Sequence, residues 1–163
     1  WTLLLIVLYN NILTNMDKIS AIIQARLGSK RFPKKILKKV NNKTILEHVI
    51  EQAQNSKLID EIIINTDAEE AINIAKKLGV KHHRRENYFA SSKCKNYEFH
   101  AHIADTTPSN YILFTNCTSP LVKRNTYIKI IKAFEDAKSK KDSLNRLDEI
   151  VEHTNNLRLV LLQ

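Results

Sequence analysis

Three short, almost unbroken apolar runs stand out along the chain: ISAIIQ ending at Gln24, EIIIN ending at Asn65 and YILFT ending at Thr115. Isoleucine-rich runs of this length, bounded by polar turns, read as strands buried on both faces. They predict strands over 18–24, 61–65 and 111–115. Between the first two, Ile45, Leu46, Val49, Ile50 and Ala53 recur at helical spacing over 44–55, and Thr44 with Glu47 three residues on forms a capping box. TDAEE then reads as a helix start, with Asp67 as a helix cap rather than a metal ligand and acidic residues in the first turn. That helix runs to Leu78 and Gly79, and a short strand follows over 80–84. Residues 85–96 show little periodicity and read as a long loop, a candidate functional loop or lid. Helices over 97–106 and 125–139 flank the third long strand and the turn NCTSPLVKRN. Past Lys140 the pattern weakens toward one more helix and a terminal apolar strand.

Strands alternating with helices in this order predict a doubly wound, mostly parallel α/β sheet with helices on both faces. Residues 16–163 are read as one domain of that kind. Residues 1–15 open apolar, too short to cross a bilayer and without a secretory signal's basic start, and are read as an extension outside the domain.

Composition adds direction to this frame. The 163 residues carry a formal charge of +9, which favours anionic partners without choosing among nucleic acid, membrane surface and phosphorylated small molecules. Two cysteines, Cys94 and Cys117, are too few for a disulfide framework and point to a reducing, cytoplasmic setting. The charge clusters where the first strand ends: ISAIIQARLGSKRFPKK places Arg26, Lys30, Arg31, Lys34 and Lys35 in one short loop with Gly28 and Pro33. A buried strand emptying into a basic loop is a phosphate site in waiting. It is neither a P-loop nor a dinucleotide fingerprint, because the protein has only two glycines and no Gly-Lys-Ser/Thr. A non-catalytic nucleic-acid binder is the competing class, but the basic stretch holds a single aromatic residue, Phe32, rather than an interleaved series.

Other groupings carry less. Cys94, His100 and His102 lack the spacing of a closed zinc site. His82 and His83 point to opposite faces of their strand. Cys117 reads as a buried thiol rather than a nucleophile. Tyr88, Phe89 and Phe99 either border a pocket or pack in the core.

The loop also resembles a known signature. IIQARLGSKRFPKK is similar to the IIPARxGSKxxPxK motif of the sugar-acid cytidylyltransferases, and TSPL at 118–121 resembles their second motif. Both follow a predicted strand, in the family's order, and the likeness covers about residues 18–139. It is greatest to the acylneuraminate (CMP-sialate) branch. The resemblance implies a nucleotidyltransferase-like, Rossmann-type sheet. It implies a reaction of CTP with a sialic-acid-like sugar acid, giving a CMP-sugar and pyrophosphate for surface polysaccharide synthesis. It implies that Arg26 and Lys35 act on the phosphates and that Gly28, Ser29, Lys30 and Arg85 bind CTP. Asn116 and Ser119 then fall on the substrate side, Mg²⁺ is the expected cofactor, and a homodimer is the expected assembly.

Departures from the pattern narrow these expectations. Ile36 stands where sialate members have an asparagine that helps read cytosine, and Ser92 stands where an aspartate often follows an Ala-Ser pair. Cys117-Thr118-Ser119-Pro120-Leu121 replaces the Gly-Asp-Glu-Pro-Leu-like turn of the KDO branch, which favours the sialate branch. Gln24 is shared with spore-coat polysaccharide relatives. The family's late pair of metal-binding aspartates is not recognised: Asp142 and Asp148 precede its expected place. The domain is therefore read as incomplete at its C-terminal end, with a CTP-binding relic that does not turn over as the alternative to an enzyme.

Overall fold

The computed structural model describes residues 18–28, 33–118, 120–139 and 157–161. The chain runs through β1 (Ile19–Gln24), a hairpin of β2 (Lys39–Val40) and β3 (Lys43–Thr44), α1 (Ile45–Ser56), β4 (Glu61–Thr66), α2 (Glu69–Lys77) and β5 (Lys81–Arg84). It continues through α3 (Asn87–Ala90), α4 (Asn96–Thr106), β6 (Tyr111–Asn116), α5 (Arg124–Ser139) and β7 (Leu157–Leu161). Residues 1–15 and the helix expected after Lys140 lie outside the described residues.

The large sheet has the order β5-β4-β1-β6-β7, parallel except for β7, which pairs antiparallel with β6. This is the mostly parallel, helix-flanked α/β sheet expected. β1 is its spine, with Ile22 in register with Ile63 on one side and Phe114 on the other. On one face Ala21, Ile23 and Ile64 pack with Leu46, Ile50 and Ala53 of α1, Ala71 and Ala75 of α2, and Tyr127 and Ile131 of α5. On the other, Ile22, Ile63, Ile112 and Phe114 pack with Phe99 and Ile103 of α4. Both faces are covered, so the strands need no polar alternation, which is why they read as continuous apolar runs.

The capping box of α1 is present: Glu47 N donates to Thr44 Oγ1 at 3.1 Å and Thr44 N donates to the Glu47 carboxylate at 2.7 Å. Past α2, Gly79 takes φ 68°, a left-handed stop that a side chain would strain. Asp67, expected to cap α2, does not: Ala68 holds the cap position and no side chain caps that end. Its carboxylate is drawn across the sheet end instead.

The β2–β3 hairpin, a 3₁₀ turn over Lys35–Leu37 and a short helix were not foreseen. The β2–β3 hairpin turns on Asn41 and Asn42, at φ 49° and 65°, the two positive-φ positions of a tight primed turn that asparagine tolerates. Inside the expected 85–96 loop, residues 87–90 form the single turn α3, too short to leave a periodic signal.

The order reverses at β1: the chain moves outward through β4 and β5, then returns to place β6 on β1's other side. That reversal opens a crevice at the carboxyl ends of β1 and β6, where such sheets bind ligands.

At the opposite end of the sheet, Glu61, 10% exposed, pairs with Lys18 at 3.2 Å and with Lys81. Burial works to raise this carboxyl, but the hydrogen bonds from Lys81 and Lys18 prevail and hold it below its ordinary 4.5. A depressed folded-state pKa contributes stability that is present above the unfolded value and is lost as pH falls through the folded one. Urea unfolding as a function of pH checks this. Stability should fall as pH drops below about 4.5, and Glu61→Gln should make that fall shallower; an unchanged slope would contradict the pairing.

Candidate functional site

Residues at the crevice are held from the strand ends outward. Gln24 lies in register between Asn65 of β4 and Asn116 of β6, so three carboxamides align near the carboxyl ends of the three central strands on one face. Past Gln24 the backbone stays clamped to β4: Ala25 N donates to Asn65 O at 3.0 Å, and Leu27 N donates to Asp67 Oδ1 at 2.9 Å. Arg26 stands between these two pinned residues, its Nη1 donating to the carbonyls of Ala90 and Ser91 at 3.3 Å each. Where the loop is described again, Lys34 takes φ 53° and leads into a 3₁₀ turn over Lys35–Leu37 that buries Ile36 and leaves Lys35 half-buried.

Arg85 is the deepest cation, 7% exposed. Its backbone N donates to Thr66 O at 2.7 Å, its Nε to Asn65 Oδ1 and its Nη2 to Asn65 O at 3.3 Å. The guanidinium lies over the Phe99 ring, 4.3 Å from its centroid, a cation–π contact strengthened by exclusion of water. Burial lowers the Arg85 pKa to about 10, with the Asp67 charge working against the shift and Arg26 adding to it. It remains charged at neutral pH.

These groups surround an open cleft of about 790 Å³, a volume suited to a nucleotide-sized ligand. Arg26, Gly28, Lys35, Arg85 and Asn116, five of the expected site residues, line it together. Ser29, Lys30 and Ser119 lie outside the described residues. Gln24, Ile36, Phe89, Cys94, Lys95 and Phe99 also contribute to the wall. Among the described residues the lining holds four cationic side chains, Arg26, Lys35, Arg85 and Lys95, and no carboxylate. Such a surface attracts a polyanion.

The remaining candidates divide clearly. Phe89 and Phe99 border the cleft, whereas Tyr88 is exposed and donates its hydroxyl to Glu98 at 2.8 Å. His102 stacks on Phe89 at 4.0 Å, and His100 lies 4.2 Å from Phe114. Among the described residues no group of three His, Cys, Asp or Glu side chains is placed to hold a metal. With no carboxylate in the lining, the described residues do not fit a Mg²⁺ site, and Asp142 and Asp148 lie outside them. Cys117 is fully buried, and burial pushes its thiol up to about 12; it is not a nucleophile at neutral pH.

The family model for cytidylyltransferases matches residues 20–162. The chain belongs to the cytidylyltransferase family. Among the curated cytidylyltransferases it resembles the 3-deoxy-manno-octulosonate cytidylyltransferase of Christiangramia forsetii, 26% identical over 88% of this chain and 59% of that protein. The CMP-N,N'-diacetyllegionaminic acid synthase of Campylobacter jejuni is 38% identical over 48% of this chain and 34% of its own length. The chain thus spans less than two thirds of either relative. The solved CTP complex of CMP:2-keto-3-deoxy-manno-octonic acid synthetase superposes with a TM-score of 0.61 at 18% identity, over 73% of this chain and 48% of that one. That likeness establishes the shared nucleotidyltransferase-type fold.

Asn65, Asp67 and the packing of Phe99 on Arg85 escaped sequence reasoning as parts of the site, since each acts on a residue 14 to 40 positions away. Asn65 itself carried a signal: a carboxamide ending an apolar strand needs a partner. Asn65→Ala strips the buried guanidinium of its side-chain acceptor and should lower unfolding free energy by about 1–3 kcal/mol. Denaturant titration measures this, and a loss below about 0.5 kcal/mol would show that Arg85 does not depend on Asn65.

Proposed function

We propose that this chain activates a sugar acid with CTP, releasing pyrophosphate and forming a CMP-sugar. The observation that carries the proposal is the cleft lined by cations and free of carboxylates at the ends of β1 and β6, in a chain of the cytidylyltransferase family.

In this reading a hydroxyl of the sugar acid attacks the α-phosphorus of CTP. A new oxygen–phosphorus bond forms while the bond to the bridging oxygen breaks, pyrophosphate takes the electron pair, and the hydroxyl proton passes to solvent. Positioning and charge neutralisation dominate such a transfer. Arg26 and Lys35 would neutralise the phosphates and the departing pyrophosphate. Gly28, Ser29 and Lys30 would bind CTP beside them, with Arg85 reinforcing the nucleotide side from its buried seat. Asn116 and Ser119 would meet the sugar acid. Mg²⁺ is expected with the triphosphate, but the described residues offer it no carboxylate, so no step is assigned to it.

The acceptor is proposed as a 2-keto-3-deoxy sugar acid. The TSPL turn favoured sialate over KDO, but the relatives include octulosonate enzymes as well as a legionaminate synthase, so the class is wider than sialic acid. A cytoplasmic location suits the two free cysteines, and among the described residues no helix is long and apolar enough to cross a membrane. A homodimer is the proposed assembly. The absence of a carboxylate in the described lining also favours a second reading, a CTP binder without turnover.

Incubation with CTP, Mg²⁺ and a panel of sugar acids, read by pyrophosphate release, decides between them. Release dependent on both CTP and a sugar acid supports the enzyme. A CTP-induced rise in melting temperature without release supports the binder, and neither response overturns both. Arg26→Ala and Lys35→Ala should each weaken CTP binding by about 1.5–3 kcal/mol, the size of a charge-assisted hydrogen bond. Unchanged calorimetric affinity in both variants would remove the phosphate assignment.

A further inference from the structure

Asp67 begins the run Asp67-Ala68-Glu69-Glu70 that leads into α2, yet two of its three acids reach the basic loop. We propose that Asp67 is a positioning residue that pre-shapes the turn carrying Arg26, with Glu70 as a weaker second tie at the loop's far side. This inference rests on the reading of that turn as the phosphate-binding element.

The turn is pinned at both neighbours of Arg26. On one side the Ala25 backbone is fixed twice, its N donating to Asn65 O and its carbonyl accepting from Thr66 Oγ1. On the other, the partly buried Asp67 carboxylate accepts from Leu27 N at 2.9 Å. Thr66 is itself held, because its Oγ1 accepts from Ala68 N at 3.1 Å. Residues 65–67 therefore dictate the backbone on either side of Arg26, while the Arg26 side chain projects into the cleft wall.

Glu70 accepts from Lys34 Nζ at 3.2 Å where the loop is described again. Both side chains are more than half exposed, so this pair contributes little in water. Asp67 carries most of the restraint.

Its placement suits the task. Asp67 is absent from the cleft lining, so its charge does not face the space a polyanion would enter. From behind the turn it holds an amide and opposes the positive charge of the buried Arg85. Leu27 N is spent on this contact and is therefore not a donor for a ligand. A turn held in shape before the ligand arrives spares the ordering cost that binding would otherwise meet.

Two substitutions separate anchoring from charge. Asp67→Asn keeps an oxygen for Leu27 N and loses the charge, whereas Asp67→Ala loses both. Amide hydrogen exchange at Leu27 in the full chain reads the anchor without any ligand, and calorimetry with CTP reads its consequence. Asp67→Ala should lose Leu27 protection and raise the CTP Kd about tenfold, as expected for one charged hydrogen bond. Asp67→Asn should keep the protection and stay within about threefold of wild type, and Glu70→Gln within about twofold. Leu27 remaining protected in Asp67→Ala, or equal weakening in both Asp67 variants, would overturn the proposal. If wild type fails to bind CTP while the exchange results hold, the anchor stands and the nucleotide reading falls.

Discussion

A guanidinium withdrawn from water has to be given acceptors and a polarisable surface, or it destabilises the chain that buries it. Arg85 imposes that demand here, and much of the cleft's wall answers it. The Asn65 side chain and carbonyl supply acceptors, the Phe99 ring supplies a face, and Asp67 supplies opposing charge. Meeting these terms requires β5 to lie along β4 in the observed register, with Thr66 beside Arg84, and α4 to pack Phe99 against that end of the sheet. The same arrangement leaves the carboxyl ends of β1 and β6 open beside a cation that cannot swing away.

The cations around the cleft are an unsettled electrostatic arrangement. Arg26 and Arg85 act on each other as like charges, visible in the contribution of Arg26 to the lowered Arg85 pKa. Arg26 meanwhile rests on the carbonyls of Ala90 and Ser91, neutral acceptors weaker than a phosphate oxygen. In the proposed function a polyanion entering here would replace those carbonyls and relieve the repulsion. Its gain is largest where negative charge builds up, as on a leaving pyrophosphate. Fold and proposed chemistry are linked through this: Arg85 is compensated by Asp67 from within the protein, whereas Arg26 rests on neutral carbonyls that phosphate oxygens would replace.

Much of this was legible along the chain because it is written locally. Arg26 and Gly28 follow directly on one strand, Arg85 and Asn116 stand at the ends of others, and strand ends in such sheets share one edge. The capping box at Thr44 and the stop at Gly79 are equally local. What stayed hidden depends on pairs distant in sequence. Asp67 has the spacing of a helix cap, and only the closeness of β1 to β4 shows that the Leu27 amide competes for its carboxylate and wins. The choice of Phe99 between core and cleft was no choice in space, since one face of the ring packs inward and Arg85 lies over it. The branch read from TSPL is supported only as far as a sugar acid, since the relatives include an octulosonate enzyme as well as a legionaminate synthase.

The central claim is that the cation-lined cleft between the ends of β1 and β6 is where CTP binds. A crystal structure of the protein with CTP tests it most directly. The account predicts the triphosphate within hydrogen-bonding distance of Arg26 and Lys35, with the Ala90 and Ser91 carbonyls released by Arg26. CTP bound at another surface, or bound in the cleft with its phosphates turned away from both side chains, would contradict it.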